Sequence, residues 1–205
     1  PAARSAAASW QLLIAQQAVL PLLGPGGERA LRGWREVLVY PGEFKVRRSH
    51  HDEDTGVITE GEDVLVGEAW ERGPLVLSLA DVAFDLENPW DGFNVIVHEM
   101  AHKLDQLDGP ADGVPPLATI PRRRWIGTFQ AAYDRLATTP EAHYHGPIDY
   151  YATEDPAEYF AVVSEMHFSR PAALARAEPD VAALLAEYYG PSPAVGADRV
   201  SPPAG

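Results

Sequence analysis

The chain has 205 residues, 46% of them hydrophobic and 22% charged, with a formal net charge of −14 and no cysteine. This length holds one domain with a sizeable core. The acidic balance repels phosphate backbones and argues against nucleic-acid binding, while the lack of cysteine removes disulfides and thiolate chemistry and leaves His, Asp and Glu as the donors for any zinc site. It also suits a reducing compartment, so the expected setting is cytoplasmic. The first residue is Pro1 rather than Met, and a fragment or processed form is expected.

In chain order, "WQLLIAQQAVLPLLG" is apolar but broken by glutamines and Pro21. It is too short and too polar to span a membrane. Trp10, Leu13, Ile14 and Gln17 follow helical spacing, which predicts a packed helix over about residues 6–19. "GPGG" then reads as a turn. "WREVLVYP" and "GEFKV" read as short strands. "RRSHHDEDTGVITEGEDV" reads as a surface loop or irregular hairpin, with His50 and His51 solvated in it. "LVGEAWERGPLVLSLADV" resumes strand character, with a turn at Arg72-Gly73-Pro74. A helix is expected between Pro89 and Gly109, a stop signal. A loop follows, then a helix over "RRRWIGTFQAAYDRLAT", whose three arginines read as an exposed helix start. "PEAHYHGPIDYYAT" is a second loop, with His143 and His145 on its surface. "EDPAEYFAVVSEMHF" and "PDVAALLAEYYG" are the last helices. Residues 191–205, "PSPAVGADRVSPPAG", read as a flexible tail after one domain over 1–190. Strands come first and helices follow, which predicts an α+β fold with a small sheet packed against helices.

Within "NVIVHEMAHKLDQLDG", His98 and His102 are four residues apart. On a helix they are offset by only about 40° and point the same way. Two neutral imidazoles so placed can share one metal ion. Glu99 is rotated off that axis, where it can take a proton from activated water. These are the mechanics of H-E-x-x-H. The preceding Val95-Ile96-Val97 suggests a buried helix, in which unpartnered histidines would be costly.

A catalytic zinc needs a third protein ligand. Asp108 is a weak candidate, because a continuing helix turns it about 120° away from His102. Asp105, one turn after His102, stays on the same face; it could orient the site, or be a solvated helix-end charge. A second helix offers Glu154, Glu158 and Glu165. Asp155-Pro156 reads as N-cap and N1, making Glu158 N3, which would also suit a capping box. Glu165 lies two turns on, on nearly the same face. The residues alone favour Glu158 over Glu165 only modestly.

The stretches "LLIAQQAVLPLL", "WREVLVYPGEF", "VLVGEAWERGPLVLSLADV", "NVIVHEMAHKLDQLDG", "IDYYATEDPAEYFAVVSEMHF" and "PDVAALLAEYYG" together resemble the Mlc titration factor A family of zinc peptidases, over about residues 10 to 190. The catalytic core of that family is similar to that of anthrax lethal factor, which implies a zincin-like metallopeptidase domain. The resemblance implies zinc held by His98, His102 and Glu158, with Glu99 as general base. Tyr151 would match the family tyrosine near the metal and donate a hydrogen bond to the developing oxyanion, with Tyr150 as its nearest competitor. "GEAWERGPLVLS" would be the sheet edge beside the cleft, where a peptide could add as a strand. Where many members carry an aromatic pair after the late glutamate, this chain has Met166-His167-Phe168, and His167 reads as a non-ligand. Members usually begin further upstream.

The expected function is therefore a zinc-dependent peptidase, acting as an aminopeptidase on short peptides. The alternative is a regulatory protein that associates with a transcriptional repressor. Neither reading calls for nucleic acid or membrane.

Overall fold

The computed structural model describes residues 2–24, 36–41, 44–51, 58–65, 67–69 and 74–194. The first helix, α1, spans Ala2–Val19 and passes into a 3-10 turn over Leu20–Leu22, with Pro21 in that turn. Ile14 is buried, and Trp10 and Leu13 pack beside it, as their spacing predicts.

Among the described residues five strands follow: β1 (Val37–Tyr40), β2 (Phe44–His51), β3 (Ile58–Leu65), β4 (Gly67–Ala69) and β5 (Leu75–Ser78). The three-stranded sheet has the order β1-β5-β4. β1 runs parallel to β5, with Val37 opposite Leu75 and Tyr40 opposite Ser78. β4 is antiparallel to β5, with Gly67 opposite Leu77. β5 is therefore central, and all four of its residues are buried. A short apolar run covered on both faces suits that place. β4 holds one edge and approaches the backbone of the histidine-bearing helix described below. The stretch read as one edge thus divides into edge strand β4 and central strand β5; its turn at residues 72–73 lies outside the described residues.

β2 and β3 form a separate antiparallel pair, from Phe44 opposite Leu65 to His51 opposite Ile58. The stretch read as a loop or irregular hairpin is a regular ladder over those residues, and His50 and His51 belong to β2. The exposure expected of their side chains lies outside what is described.

The next element differs from the sequence reading. Residues 79–82 do not continue the strand; they begin helix α2, Leu79–Glu87. The Ser78 hydroxyl accepts the Asp81 N–H at 3.3 Å, an N-cap that turns the chain out of β5. The helical period then brings Val82 and Leu86 onto one face, against the core. A strand would have put Asp81 on the same side as Leu79.

Helix α3 spans Val95–Asp105 and is trimmed at both ends relative to the expected Pro89-to-Gly109 segment. Asn94 caps it: its side-chain oxygen accepts the Val97 N–H at 3.0 Å. Asp85 of α2 accepts the Val95 N–H at 2.7 Å. Two donors left over by helix geometry are thereby satisfied, and both acceptors suit the positive end of the helix dipole.

The remaining helices are α4 (Arg122–Ala137), α5 (Pro156–Ser169), α6 (Pro171–Ala177) and α7 (Pro179–Tyr189). The reading missed α6. Prolines occupy the first position of α5, α6 and α7, where a missing N–H costs nothing. Pro171 also disfavours helix at Arg170 and so separates α6 from α5. Ser192 and Ala194, at the start of the expected tail, are buried.

α3 lies between two apolar clusters. Val95, Ile96 and Met100 face Leu75 and Leu77 of β5, Ile14 of α1 and Val82 of α2. Val97, Ala101 and Leu104 face the cluster built from α4 to α7. In that second cluster Trp125 is wholly buried and stacks on Phe129 with ring centroids 4.2 Å apart. Truncating such a side chain to Ala costs about 3–5 kcal/mol. The result is the α+β arrangement anticipated: a small sheet packed against the helix that carries both histidines. No helix among the described residues is long and apolar enough to cross a membrane.

Candidate metal centre

His98 and His102 leave α3 on the strip between its two apolar faces. Their Nε2 atoms are 3.1 Å apart. α5 brings Glu158 to the same point, with Oε2 at 3.1 Å from His98 Nε2 and 3.4 Å from His102 Nε2. Among the described residues these three form the one group of histidine and acidic donors close enough to share a metal ion. Asp155 anchors the arrangement. Its Oδ1 accepts the N–H groups of Ala157 and Glu158 at 2.8 and 2.9 Å, so Asp155 is the N-cap that the sequence indicated. The Glu158 carboxylate is not spent on a reciprocal capping bond; it is turned to the histidines.

The donors fit a small cation. Glu158 Oε2 is buried with no hydrogen-bond partner. His98 Nδ1 lies 2.7 Å from Glu165 Oε1. A carboxylate only accepts, so Nδ1 carries the proton, and the neutral ring presents its lone pair at Nε2. A tetrahedral zinc with bonds of about 2.0–2.1 Å separates its ligand atoms by about 3.3 Å, close to the spacings seen here.

Glu99 is 3% exposed, and its Oε2 has no hydrogen-bond partner. Burial pushes its carboxyl up to about 7, against the pull of His98 and His102. Burial also opposes charge on His98, but the Glu158 and Glu165 carboxylates beside it outweigh that and raise this imidazole well above its ordinary value. For Glu158 burial is likewise outweighed, by His102 and His98, and its carboxyl is held well below the usual range. Tyr151 is 49% exposed, with its ring centroid 6.3 Å from that of His98. Burial of the hydroxyl and the charge and hydrogen bond of Glu158 raise its phenol. Tyr150, its neighbour, faces elsewhere and donates to the Thr139 carbonyl at 2.9 Å.

The family described as glucose-regulated metallo-peptidase M90 matches residues 5–190. The chain belongs to that family. It is 37% identical over 195 residues to the Mlc titration factor A of Serratia proteamaculans, covering 93% of this chain and 72% of that protein. It is 40% identical over 179 residues to the Mlc titration factor A of Pectobacterium atrosepticum, covering 85% of this chain and 65% of that protein. It is 38% identical over 174 residues to that of Yersinia enterocolitica, covering 82% and 62%. The chain thus spans between 62 and 72% of the length of these relatives.

Other sequence candidates in this M90 member fall outside the donor cluster. Asp108 lies beyond the end of α3 and is exposed. Asp105 is 1% exposed, not a solvated charge, and its Oδ2 accepts the Gly113 N–H at 2.7 Å. His143 and His145 are exposed in the loop, as expected of them. The Arg122–Arg124 run is exposed at the start of α4, paired in part with Asp112 and Glu187. His167 is buried on α5 among Phe168 and Tyr189, away from the cluster.

The role of Glu165 was missed. The sequence offers it only as a possible ligand to the metal, but one oxygen meets His98 Nδ1 and the other accepts the Asn94 N–H, so it ties His98 to the start of α3. Its seven-residue spacing from Glu158 placed it on the right face without saying which imidazole nitrogen it meets. An apolar cavity of about 250 Å³ lies at that same end of α3, lined by Val82, Leu86, Trp90, Phe93, Ile96 and Phe168 among others. None of His98, His102 or Glu158 lines it.

Proposed function

We propose that this chain is a zinc-dependent peptidase that hydrolyses short peptides from their amino end, in a cytoplasmic setting. The observation that carries the reading is the convergence of His98 Nε2, His102 Nε2 and an orphaned Glu158 Oε2 beside a second buried, orphaned carboxylate, Glu99. A structural zinc site has no use for that second carboxylate. His98, His102 and Glu158 would hold the ion, which when bound supplies a Lewis acid that activates water and polarises a carbonyl. Glu99 takes the proton of the attacking water and passes it to the leaving amine. Glu165 keeps the His98 ring in the tautomer that offers Nε2. Tyr151 donates a hydrogen bond from its hydroxyl to the developing oxyanion.

The test pairs metal analysis with hydrolysis. After dialysis against a weak chelator the parent should keep one zinc per chain and cleave peptides with a free amino end faster than acetylated ones. Glu99→Gln should keep the metal and lose hydrolysis. Retention of full zinc by His102→Ala would sink the site; equal cleavage of acetylated peptides would sink the aminopeptidase assignment.

A second reading has its own support in the name of the relatives, Mlc titration factor A. In that reading the chain binds a transcriptional repressor and hydrolysis is secondary. Glu99→Gln separates the two, since a docking surface does not need the base.

A further inference from the structure

We propose that Asp105 is a positioning residue for the third metal ligand: through Gly113 it fixes the start of α5, and with it the reach of Glu158 toward His98 and His102. This rests on the ligand assignment proposed above.

Three helices meet at Gly113. Its N–H donates to Asp105 Oδ2 at the end of α3, at 2.7 Å. Its carbonyl accepts the indole N–H of Trp125 in α4, at 2.8 Å. Its Cα faces Pro156, the first residue of α5, so closely that an added Cβ would lie 2.5 Å from the Pro156 carbonyl oxygen. Its φ of +78° belongs to the left-handed region, which glycine enters without strain. Backbone therefore rests on backbone at this point, with no side chain between to absorb a shift.

Glu158 is two residues beyond Pro156, and its own N–H is fixed by Asp155. Asp105 is three residues beyond His102, close to one turn of the same helix. The path from His102 through Asp105, Gly113 and Pro156 to Glu158 closes on itself where Glu158 Oε2 returns to His102 Nε2 at 3.4 Å. Two ligands are on α3 and one is on α5, so the separation of these helix ends sets whether three donors can meet one ion. Apolar packing alone fills that space but sets no unique distance. A buried carboxylate accepting a short backbone hydrogen bond does, because charge-assisted bonds are short and strong. With only 1% of Asp105 exposed, the bond is also shielded from water.

The test is a double-mutant cycle on zinc affinity, measured by competition with a chelator, with the melting temperature of each metal-free protein alongside. Glu158→Ala should weaken zinc binding strongly. Asp105→Ala should weaken it by roughly 10- to 100-fold, the usual cost of losing a support behind a ligand. Asp105→Asn keeps a carbonyl acceptor of the same length but not the charge, and should recover part of that loss. In the Glu158→Ala background, Asp105→Ala should cost nothing further, because its route to the metal is already cut. Losses that add in the double variant would overturn the inference while leaving the ligand set standing. So would a lower melting temperature with unchanged zinc affinity. Unchanged affinity in Glu158→Ala alone would overturn the ligand assignment, and this inference with it. If Asp105→Ala does not fold, Asp105→Glu, which keeps the charge and lengthens the arm by one methylene, goes through the same cycle.

Discussion

Glu158 and Glu165 occupy one face of α5, two turns apart, and both reach His98. Glu158 meets Nε2 and has an oxygen with no hydrogen-bond partner. Glu165 meets Nδ1, and its other oxygen accepts the Asn94 N–H. One carboxylate is left wanting a cation and the other is satisfied by protein donors. The same residue type, on the same helix, against the same ring, therefore differs by the nitrogen it faces, and in the proposed site the two become ligand and holder. What decides this is the antiparallel approach of α5 to α3: the start of α3 and His98 meet Glu165, while His102, a turn on, meets Glu158.

The largest expected effect breaks that pair. Zinc sites of four ligands bind with about 10–16 kcal/mol, or roughly 3 kcal/mol per ligand, so Glu158→Ala should weaken zinc by on the order of 100-fold or more. Glu165→Gln keeps an acceptor for the His98 Nδ1 proton but loses the charge, and should cost nearer 10-fold. Chelator competition on both variants checks the ranking. A larger loss from Glu165→Gln than from Glu158→Ala would exchange the two roles.

A second pair sharpens the same distinction between serving the chemistry and serving the fold. Tyr151 is half exposed above the donors, whereas the Tyr150 hydroxyl is spent on the Thr139 carbonyl. Tyr151→Phe should lower kcat by about 100-fold, with KM, zinc content and melting temperature near the parent. Tyr150→Phe should do the converse, leaving kcat alone and costing about 1 kcal/mol of stability for one hydrogen bond. Full activity in Tyr151→Phe would remove it from the mechanism. Loss of zinc or unfolding in that variant would make it structural.

How much of this could be read from the residues follows from the range of each interaction. The histidine pair is a matter of helical period, and the Asp155-Pro156 cap is a local signal; both were legible. The residues alone separated Glu158 from Glu165 only modestly, since both lie on one helical face; the family resemblance pointed to Glu158, and the packing of α5 on α3 is what brings its carboxylate to both histidines. Asp105 shows its face in the sequence but not its partner, because the loop that returns Gly113 has no periodicity to read. Tyr150 and Tyr151 are adjacent in a 3-10 turn, Tyr150–Thr153, and that turn sends their hydroxyls to different neighbours. The helix α2 is a different case. Ser78 and Asp81 carry a capping signal that was present in the sequence, but the apolar run of β5 leads into it without a break.

The smallest effect contrasts two histidines. His98 sits among carboxylates that raise it, whereas His167, 3% exposed, is pushed down by burial to about 4, with a backbone hydrogen bond to Gly190 working the other way. Its Nε2 has no hydrogen-bond partner, and Phe168 and Tyr189 flank its ring. Since its folded value lies below the ordinary 6.5, the unfolded chain takes up the proton first as pH falls. Stability from this group is therefore complete above about 6.5 and is lost progressively between 6.5 and 4. By pH 5.5 the loss should be about 1 kcal/mol. Glu99 and Asp85, raised to about 7 and about 6, act in the opposite sense, because the folded state binds their protons more readily. The parent's own pH profile is thus a sum of opposed slopes, and only a difference isolates His167. His167→Phe restores the aromatic pair of the family resemblance and has no proton to gain. Denaturant unfolding of both metal-free proteins at pH 7.5 and 5.5 should show the variant gaining about 1 kcal/mol on the parent across that interval. Zinc affinity at pH 7.5 should be the same in both, because His167 points away from the cluster. A pH-independent difference would mean that His167 is charged or neutral alike in the folded and unfolded chain, and that its burial does not reach its ring nitrogen.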